Sequence, residues 1–218
     1  MDDSSEAELI EPTDRPKRSG LTKEIFDEKY KRSIEDPISF WTEQALIGNY
    51  IQQEKANFEE NPLTYYNIEK IKQCQPVGIS WFKKFTESFS QKNPFGGTED
   101  FTGSWFVNGK LNLCFDCTDR WAAATPQKIA IRFITDDIRN KQASEISYAD
   151  LHLNVIRISL LFKKIGIKKG DKIAIWLPPI PDFVYCFLAA IRIGAIPIPI
   201  YSQFTPLLVK DRLVDCKP

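Results

Sequence analysis

Apolar positions in the last third of the chain change period twice. Tyr148, Leu151, Val155, Ile158, Phe162 and Ile165 recur in steps of three and four, the spacing of one helical stripe. Ser147 and Asp150 ahead of the stripe match a capping box, and Gly166 closes it. Residues 172–177 (Lys-Ile-Ala-Ile-Trp-Leu) then form a short apolar run that reads as a strand. A helix over 181–193 follows, with Asp182 in its first turn and Arg192 in its last, as the helix dipole favours. Between them Phe183, Val184, Tyr185, Phe187, Leu188 and Ile191 leave almost no polar side, so this helix is expected to be buried all round. Gly194 caps it, and residues 195–200 (Ala-Ile-Pro-Ile-Pro-Ile) form a second strand. A strand, a helix of this length and a strand predict a parallel pair with a right-handed crossover.

Upstream the signals are weaker. Two helices are predicted over 22–33 and 36–53. Asp36 is the N-cap of the second, with Pro37 at its first helical position, and Phe40, Trp41, Gln44 and Ala45 fall at helical spacing. Residues 61–108 are rich in aromatics and interrupted by Pro and Gly, with no sustained period, and are expected to wrap over a larger domain. A further helix is predicted over 113–124, with Asp116 or Thr118 near its start. Residues 128–133 alternate as an edge strand does, and 136–144 read as a polar turn. A last helix begins after Thr205 with Pro206. Three strands are therefore counted, starting at Lys128, Lys172 and Ala195. Such a sheet leaves unpaired backbone and bare apolar surface, and the expectation is that it is cut at Pro218.

Ligands of such sheets bind beyond the carboxyl ends of the strands. Those ends are Leu177-Pro178-Pro179 and Tyr201-Ser202-Gln203-Phe204, predicted to lie side by side. They are the candidate ligand contacts.

Composition narrows the function classes. The 218 residues carry 29 Lys plus Arg and 29 Asp plus Glu, a formal net charge of zero, so no basic footprint for nucleic acid is evident. No apolar run approaches the roughly 20 residues that span a bilayer. Residues 1–14 hold six acids and no Lys or Arg, unlike a presequence. Residues 1–20 are read as a disordered tail. The five cysteines have no framework spacing, and reduced thiols in the cytoplasm are expected. The Cys114–Cys117 pair has no second pair, and His152 is the chain's one histidine. Zinc binding, thioredoxin-like redox chemistry and hydrolytic triads are therefore set aside, and His152 is expected to face solvent.

Four stretches carry a resemblance. They are Tyr30-Lys31-Arg32-Ser33-Ile34-Glu35-Asp36-Pro37 through Phe40-Trp41; Trp105-Phe106-Val107-Asn108-Gly109-Lys110-Leu111-Asn112 with Cys117-Thr118-Asp119-Arg120; Ser147-Tyr148-Ala149-Asp150-Leu151; and Lys169-Gly170-Asp171-Lys172-Ile173-Ala174-Ile175-Trp176-Leu177-Pro178 with Ala190-Ile191-Arg192-Ile193-Gly194-Ala195. In this order they resemble the N-terminal part of the acetyl-CoA synthetases, AMP-forming members of the adenylate-forming acyl-CoA synthetase superfamily. The resemblance implies an α/β fold: a small helical N-terminal region plus the incomplete start of an acyl-adenylate-forming domain with a partly parallel sheet. The implied layout is a tail at 1–20, a helical and wrapping region at 21–108, and the start of an AMP-binding (adenylation) domain at 109–218, truncated there.

The implied activity is that of an acetate–CoA ligase, which turns acid, ATP and CoA into acyl-CoA, AMP and pyrophosphate, with propionate or acetoacetate as alternative acids. ATP, CoA and Mg2+ are the cofactors of the complete family enzyme, and none is expected to bind this chain tightly. The family's phosphate loop, ribose-binding acid, acyl-pocket tryptophan and catalytic lysine lie downstream of the resembled part, so no catalytic or metal-binding residue transfers and the chain alone is expected to be inactive. One site carries over. Tyr201, Ser202, Gln203 and Phe204 align with the family's turn along the CoA pantetheine tunnel. The family has glycine where this chain has Ser202 and Gln203, and a side chain there changes the tunnel's shape. Trp121 stands where the family has His. The competing reading is a non-catalytic, ligase-derived module. Its partner is a chain supplying the missing C-terminal part or a full-length synthetase, with no nucleic acid and no membrane involved.

Overall fold

The computed structural model describes residues 20, 22–47, 78–89, 105–134 and 143–218. The expected tail, the far end of the second helix, most of the wrapping stretch and the core of the polar turn at 136–142 lie outside the described residues. The chain divides into two units, one ending at Gln44 and the other starting at Ala45.

In the first unit, α1 (Lys23–Glu35) starts where the Thr22 hydroxyl accepts from the Ile25 amide. The next helix, α2 (Pro37–Leu46), starts as predicted: Asp36 Oδ1 accepts from the Ser39 amide at 3.2 Å, with proline at the first helical position. Arg32 donates to both carboxylate oxygens of Glu43 at 3.0 and 2.9 Å. Both side chains are about half exposed, so this pair contributes under about 1 kcal/mol.

Among its described residues the second unit holds three two-stranded sheets. β1 (Glu87–Phe89) and β2 (Trp105–Val107) form an antiparallel ribbon in the stretch where no period is legible. Beside it the rings of Trp81, Phe85 and Phe106 meet at 5.2 to 5.4 Å. A π-helical turn (Phe115–Asp119) leads into α3 (Arg120–Ala124). The strand predicted at 128 is β3 (Ile129–Phe133), but it does not join the parallel pair. It pairs antiparallel with β4 (Ser144–Ser147), a strand that polarity hid. Arg132 and Glu145 face each other across this hairpin at 2.7 Å.

α4 (Tyr148–Lys164) begins on the predicted capping box, with Ser147 Oγ 3.1 Å from the Asp150 amide. Its stripe buries Leu151 and Val155, whereas Ile165, beyond the helix end, is 65% exposed. β5 (Lys172–Trp176), α5 (Pro181–Arg192) and β6 (Ile196–Ile200) are the predicted crossover, and the strands are parallel in the register Lys172↔Ile196 to Trp176↔Ile200. α5 packs against α4 on one side and against the strand pair on the other, which explains why its sequence is apolar all round. α6 (Pro206–Cys216) lies over the strand pair. Its C-terminal end is tied to β5 where Lys172 Nζ donates to the Cys216 carbonyl at 2.6 Å.

Among the described residues, no helix is long and apolar enough to cross a membrane, and none of the four described cysteines is in a disulfide.

Gly109 closes the aromatic ribbon. A Cβ there would stand 2.6 Å from Trp81 Cζ3 and 2.9 Å from the Phe106 carbonyl. The carbonyl belongs to the backbone and cannot yield. Gly109→Ala is expected to cost about 1–3 kcal/mol in urea unfolding, while Gly166→Ala, with open space around it, is strained only through its left-handed backbone.

Candidate functional site

Two places in the second unit gather polar side chains. One is a buried ionic network at the π-helical turn; the other is the pair of turns at the carboxyl ends of β5 and β6.

The network is built from Asn112 onward. The Asn112 Oδ1 accepts from the Cys114 amide at 3.0 Å and so caps the helix start, while its Nδ2 donates to the Arg192 carbonyl at 3.1 Å. The extra residue of a π-turn shifts side chains around the helix axis, and here Asp116 and Asp119 serve different partners. Asp116 accepts from the Ser80 amide at 3.0 Å and lies 3.2 Å from Arg120. Arg120 also donates to the carbonyls of Asp116 and Gly78, at 2.9 and 2.7 Å. Burial raises the Asp116 carboxyl above its usual range, against the Ser80 hydrogen bond and the Arg120 charge. Asp119, on the other side, accepts from Arg192 Nη1 at 3.0 and 2.8 Å and from the Thr118 hydroxyl at 2.7 Å. The Asp119 and Arg192 side chains are 0% and 1% exposed. Cys114 Sγ lies 3.8 Å from Arg192 Nη1, and burial, then the Asp119 charge, pushes its thiol up to about 11. This thiol is inert at neutral pH.

His152 does not face solvent as the sequence suggested. Its side chain is 26% exposed and its Nδ1 lies 3.4 Å from Asp119 Oδ1. Burial lowers its pKa, opposed by the Asp119 charge and aided by Arg192. Asp119 and Arg192 are sealed from solvent, whereas Asp116 and Arg120 border a cavity of about 660 Å³ that Trp121, Tyr148 and Leu188 also line. The network joins the 112–119 segment to the end of α5, and we read it as structural.

The turns beyond the strands are exposed. Trp176 pairs with Ile200 in the ladder, so Leu177-Pro178-Pro179 and the turn at 201–204 leave the sheet side by side, as predicted. The Phe204 amide donates to the Tyr201 carbonyl at 3.1 Å and closes the second turn. The two rings meet edge-on at 5.5 Å, and the Tyr201 hydroxyl donates to Gln203 Oε1 at 3.0 Å. That bond turns the Gln203 amide towards Tyr201. Arg212 of α6 places its guanidinium 5.3 Å from the Phe204 ring centre. Sequence reasoning passed over Arg212 because the helix had no ligand context until it was packed beside the turn. Among the described residues, no group of three His, Cys, Asp or Glu side chains is gathered to hold a metal ion.

Residues 118–218 match the family model described as AMP-binding enzyme. Acetyl-coenzyme A synthetase of Cryptosporidium parvum is 32% identical over 207 residues, which cover 94% of this chain and 24% of that protein. Acetyl-coenzyme A synthetase 2 of Candida glabrata is 33% identical over 203 residues, 92% of this chain and 24% of that protein. The chain is similar in sequence to the acetyl-coenzyme A synthetases. It spans about a quarter of the length of the curated relatives it matches. The acetoacetyl-CoA synthetase of Streptomyces lividans shares the fold, with a TM-score of 0.61 over 86% of this chain and 23% of that one at 16% identity. The acyl-CoA synthetase-like fold, with its small sheets including a parallel one, is therefore the one the resemblance implied.

Two measurements test the network. Asp119→Asn strands the Arg192 guanidinium in the core and is expected to cost about 3–5 kcal/mol in urea unfolding. The second concerns pH. With the folded-state value of His152 below its ordinary 6.5, acidification protonates the unfolded chain first. The stability present at neutral pH is then lost as pH falls through about 6.5. Thermal unfolding from about pH 7.5 to 5.5 should show this loss. His152→Gln should flatten it.

Proposed function

We propose that this chain forms part of an AMP-forming carboxylic acid–CoA ligase, with acetate as the preferred acid and propionate or acetoacetate as alternatives. In that reading it contributes the turn at Tyr201, Ser202, Gln203 and Phe204 to the wall of the CoA tunnel. The observation that carries the proposal is the position of this turn. It stands beside the 177–179 turn at the carboxyl edge of a parallel pair, within residues that match the AMP-binding enzyme family.

The chemistry of the turn fits such a ligand. The exposed Tyr201 ring and the half-buried Phe204 ring offer an apolar wall to a narrow arm, and Arg212 is a cation within reach of the same wall. Arg212 suits a phosphate-bearing end, since a guanidinium pairs phosphate oxygens in a planar fork. Gln203 narrows the approach that glycine would leave open. In the reaction of such a ligase, ATP with Mg2+ supplies the activation of the acid and CoA supplies the accepting thiol. None of the described residues is assigned to the activation step.

The isolated chain is expected to show no acetate-dependent ATP–pyrophosphate exchange; clear exchange would refute the assignment of activation to residues outside it. For the turn, residues 1–218 would replace the matched quarter of the Candida glabrata relative in a single fused polypeptide. Gln203→Gly in that fusion is expected to lower the KM for CoA several-fold and to leave the exchange half-reaction unchanged. Equal effects on both would remove the turn from the CoA site.

A further inference from the structure

Gln203 is exposed at the tip of the turn that follows β6. Its side chain has several rotatable bonds, and left to itself it would sweep a wide volume beside the turn. It is not left to itself. Tyr201 Oη donates to Gln203 Oε1 at 3.0 Å. The two residues lie two positions apart in one turn, so the bond folds the Gln203 side chain back towards the Tyr201 ring.

The donor is itself held in place. The Phe204 amide donates to the Tyr201 carbonyl at 3.1 Å and fixes the backbone between them. The Tyr201 ring meets the Phe204 ring edge-on at 5.5 Å, an arrangement that aromatic pairs favour. The Phe204 ring also carries the Arg212 guanidinium, 5.3 Å from its centre. Tyr201 is nevertheless 58% exposed. Its ring is set by its neighbours while its hydroxyl stands in water beside Gln203. A bond in such a place competes with water at both ends, and its net contribution is small. It biases the position of the Gln203 amide and does not lock it.

We propose that Tyr201 is a positioning residue: its hydroxyl holds the Gln203 amide clear of the path of the CoA pantetheine arm. With the bond broken, the amide is free to cross that path. The proposal rests on the reading of the 201–204 turn as part of the CoA tunnel wall, and it adds a division of labour within the turn. Gln203 narrows the approach, and Tyr201 sets by how much. The hydroxyl acts only through Gln203, so its effect must vanish when residue 203 has no side chain to hold. The ring of Tyr201 is a separate matter, because phenylalanine would keep the same contact with Phe204.

The test is a double-mutant cycle in the fused polypeptide described above. Tyr201→Phe removes the donor and keeps the ring. It is expected to raise the KM for CoA about two- to five-fold, the scale of one exposed neutral hydrogen bond, with the change in KM and not in kcat. Added to Gln203→Gly, the same substitution should leave the KM of that variant where it is. A second measurement needs no activity. In the whole chain, nitrogen relaxation of the Gln203 side-chain amide should show an ordered group that becomes mobile in Tyr201→Phe. A KM unmoved by Tyr201→Phe, where Gln203→Gly does lower it, would overturn the positioning role and leave the turn in the CoA site. An equal rise in both backgrounds would also overturn it, since the hydroxyl would then meet CoA directly. An amide no more mobile in Tyr201→Phe would do the same whatever the fusion does. If the fusion is folded but inactive, or Gln203→Gly alters exchange and the KM for CoA equally, the tunnel reading itself fails and the positioning role falls with it.

Discussion

The second unit depends on one buried ion pair, Asp119 with Arg192. Both side chains are all but removed from water, where an unpaired charge costs several kcal/mol. Each can therefore stay only where the other is, and this fixes the end of the crossover helix against the π-helical turn 73 residues earlier in the chain. Asn112 adds a neutral bond to the same place by donating to the Arg192 carbonyl. Thr118 and the His152 ring complete the shell around the carboxylate. The energetic gain of such a pair over a well-packed apolar one is small; what it supplies is a single permitted arrangement. We regard that as the reason a π-turn is kept here, since the extra residue lets Asp116 and Asp119 serve two different directions.

From this anchor the candidate ligand edge follows. The anchor fixes α5, and α5 fixes the strands it connects through packing on Ile173 and its neighbours. The strands place two turns side by side at their carboxyl ends, and α6 brings Arg212 to one of them. The buried network lies on the connecting helices, and the exposed turns lie beyond the strand ends. This division suits a scaffold whose ligand contacts sit on loops carried by a rigid layer.

Much of this was legible without coordinates because local rules sufficed. The capping box at Ser147, the start of α2 at Asp36-Pro37, the stripe from Tyr148 to Phe162, and the strand–helix–strand itself are all statements about residues within one or two turns of each other. The resemblance to acetyl-CoA synthetases was carried by the same local blocks. The misses have a common cause. β4 was missed, with Ser144 read as the end of a polar turn and Ser147 as the cap of the next helix, because Ser-Glu-Ile-Ser shows no apolar alternation. β3 was assigned to the parallel sheet because an alternating run does not reveal its partner. Arg192 was read only as suiting the helix dipole, and His152 as solvent-facing, because the partner of each is Asp119, far away in sequence.

The sequence by itself determined where helices and strands begin, that the helix before Gly194 must be covered on both sides, and that the two strand ends form one edge. These follow from periodicity, capping and the handedness of a crossover, which act over a few residues. Only the tertiary structure decided what covers that helix, which acid meets Arg192, that β3 leaves the parallel pair for a hairpin with β4, and that Arg212 stands over the candidate turn. Those are pairings between distant residues, decided by which charges and apolar faces are buried together, and no local pattern encodes a partner.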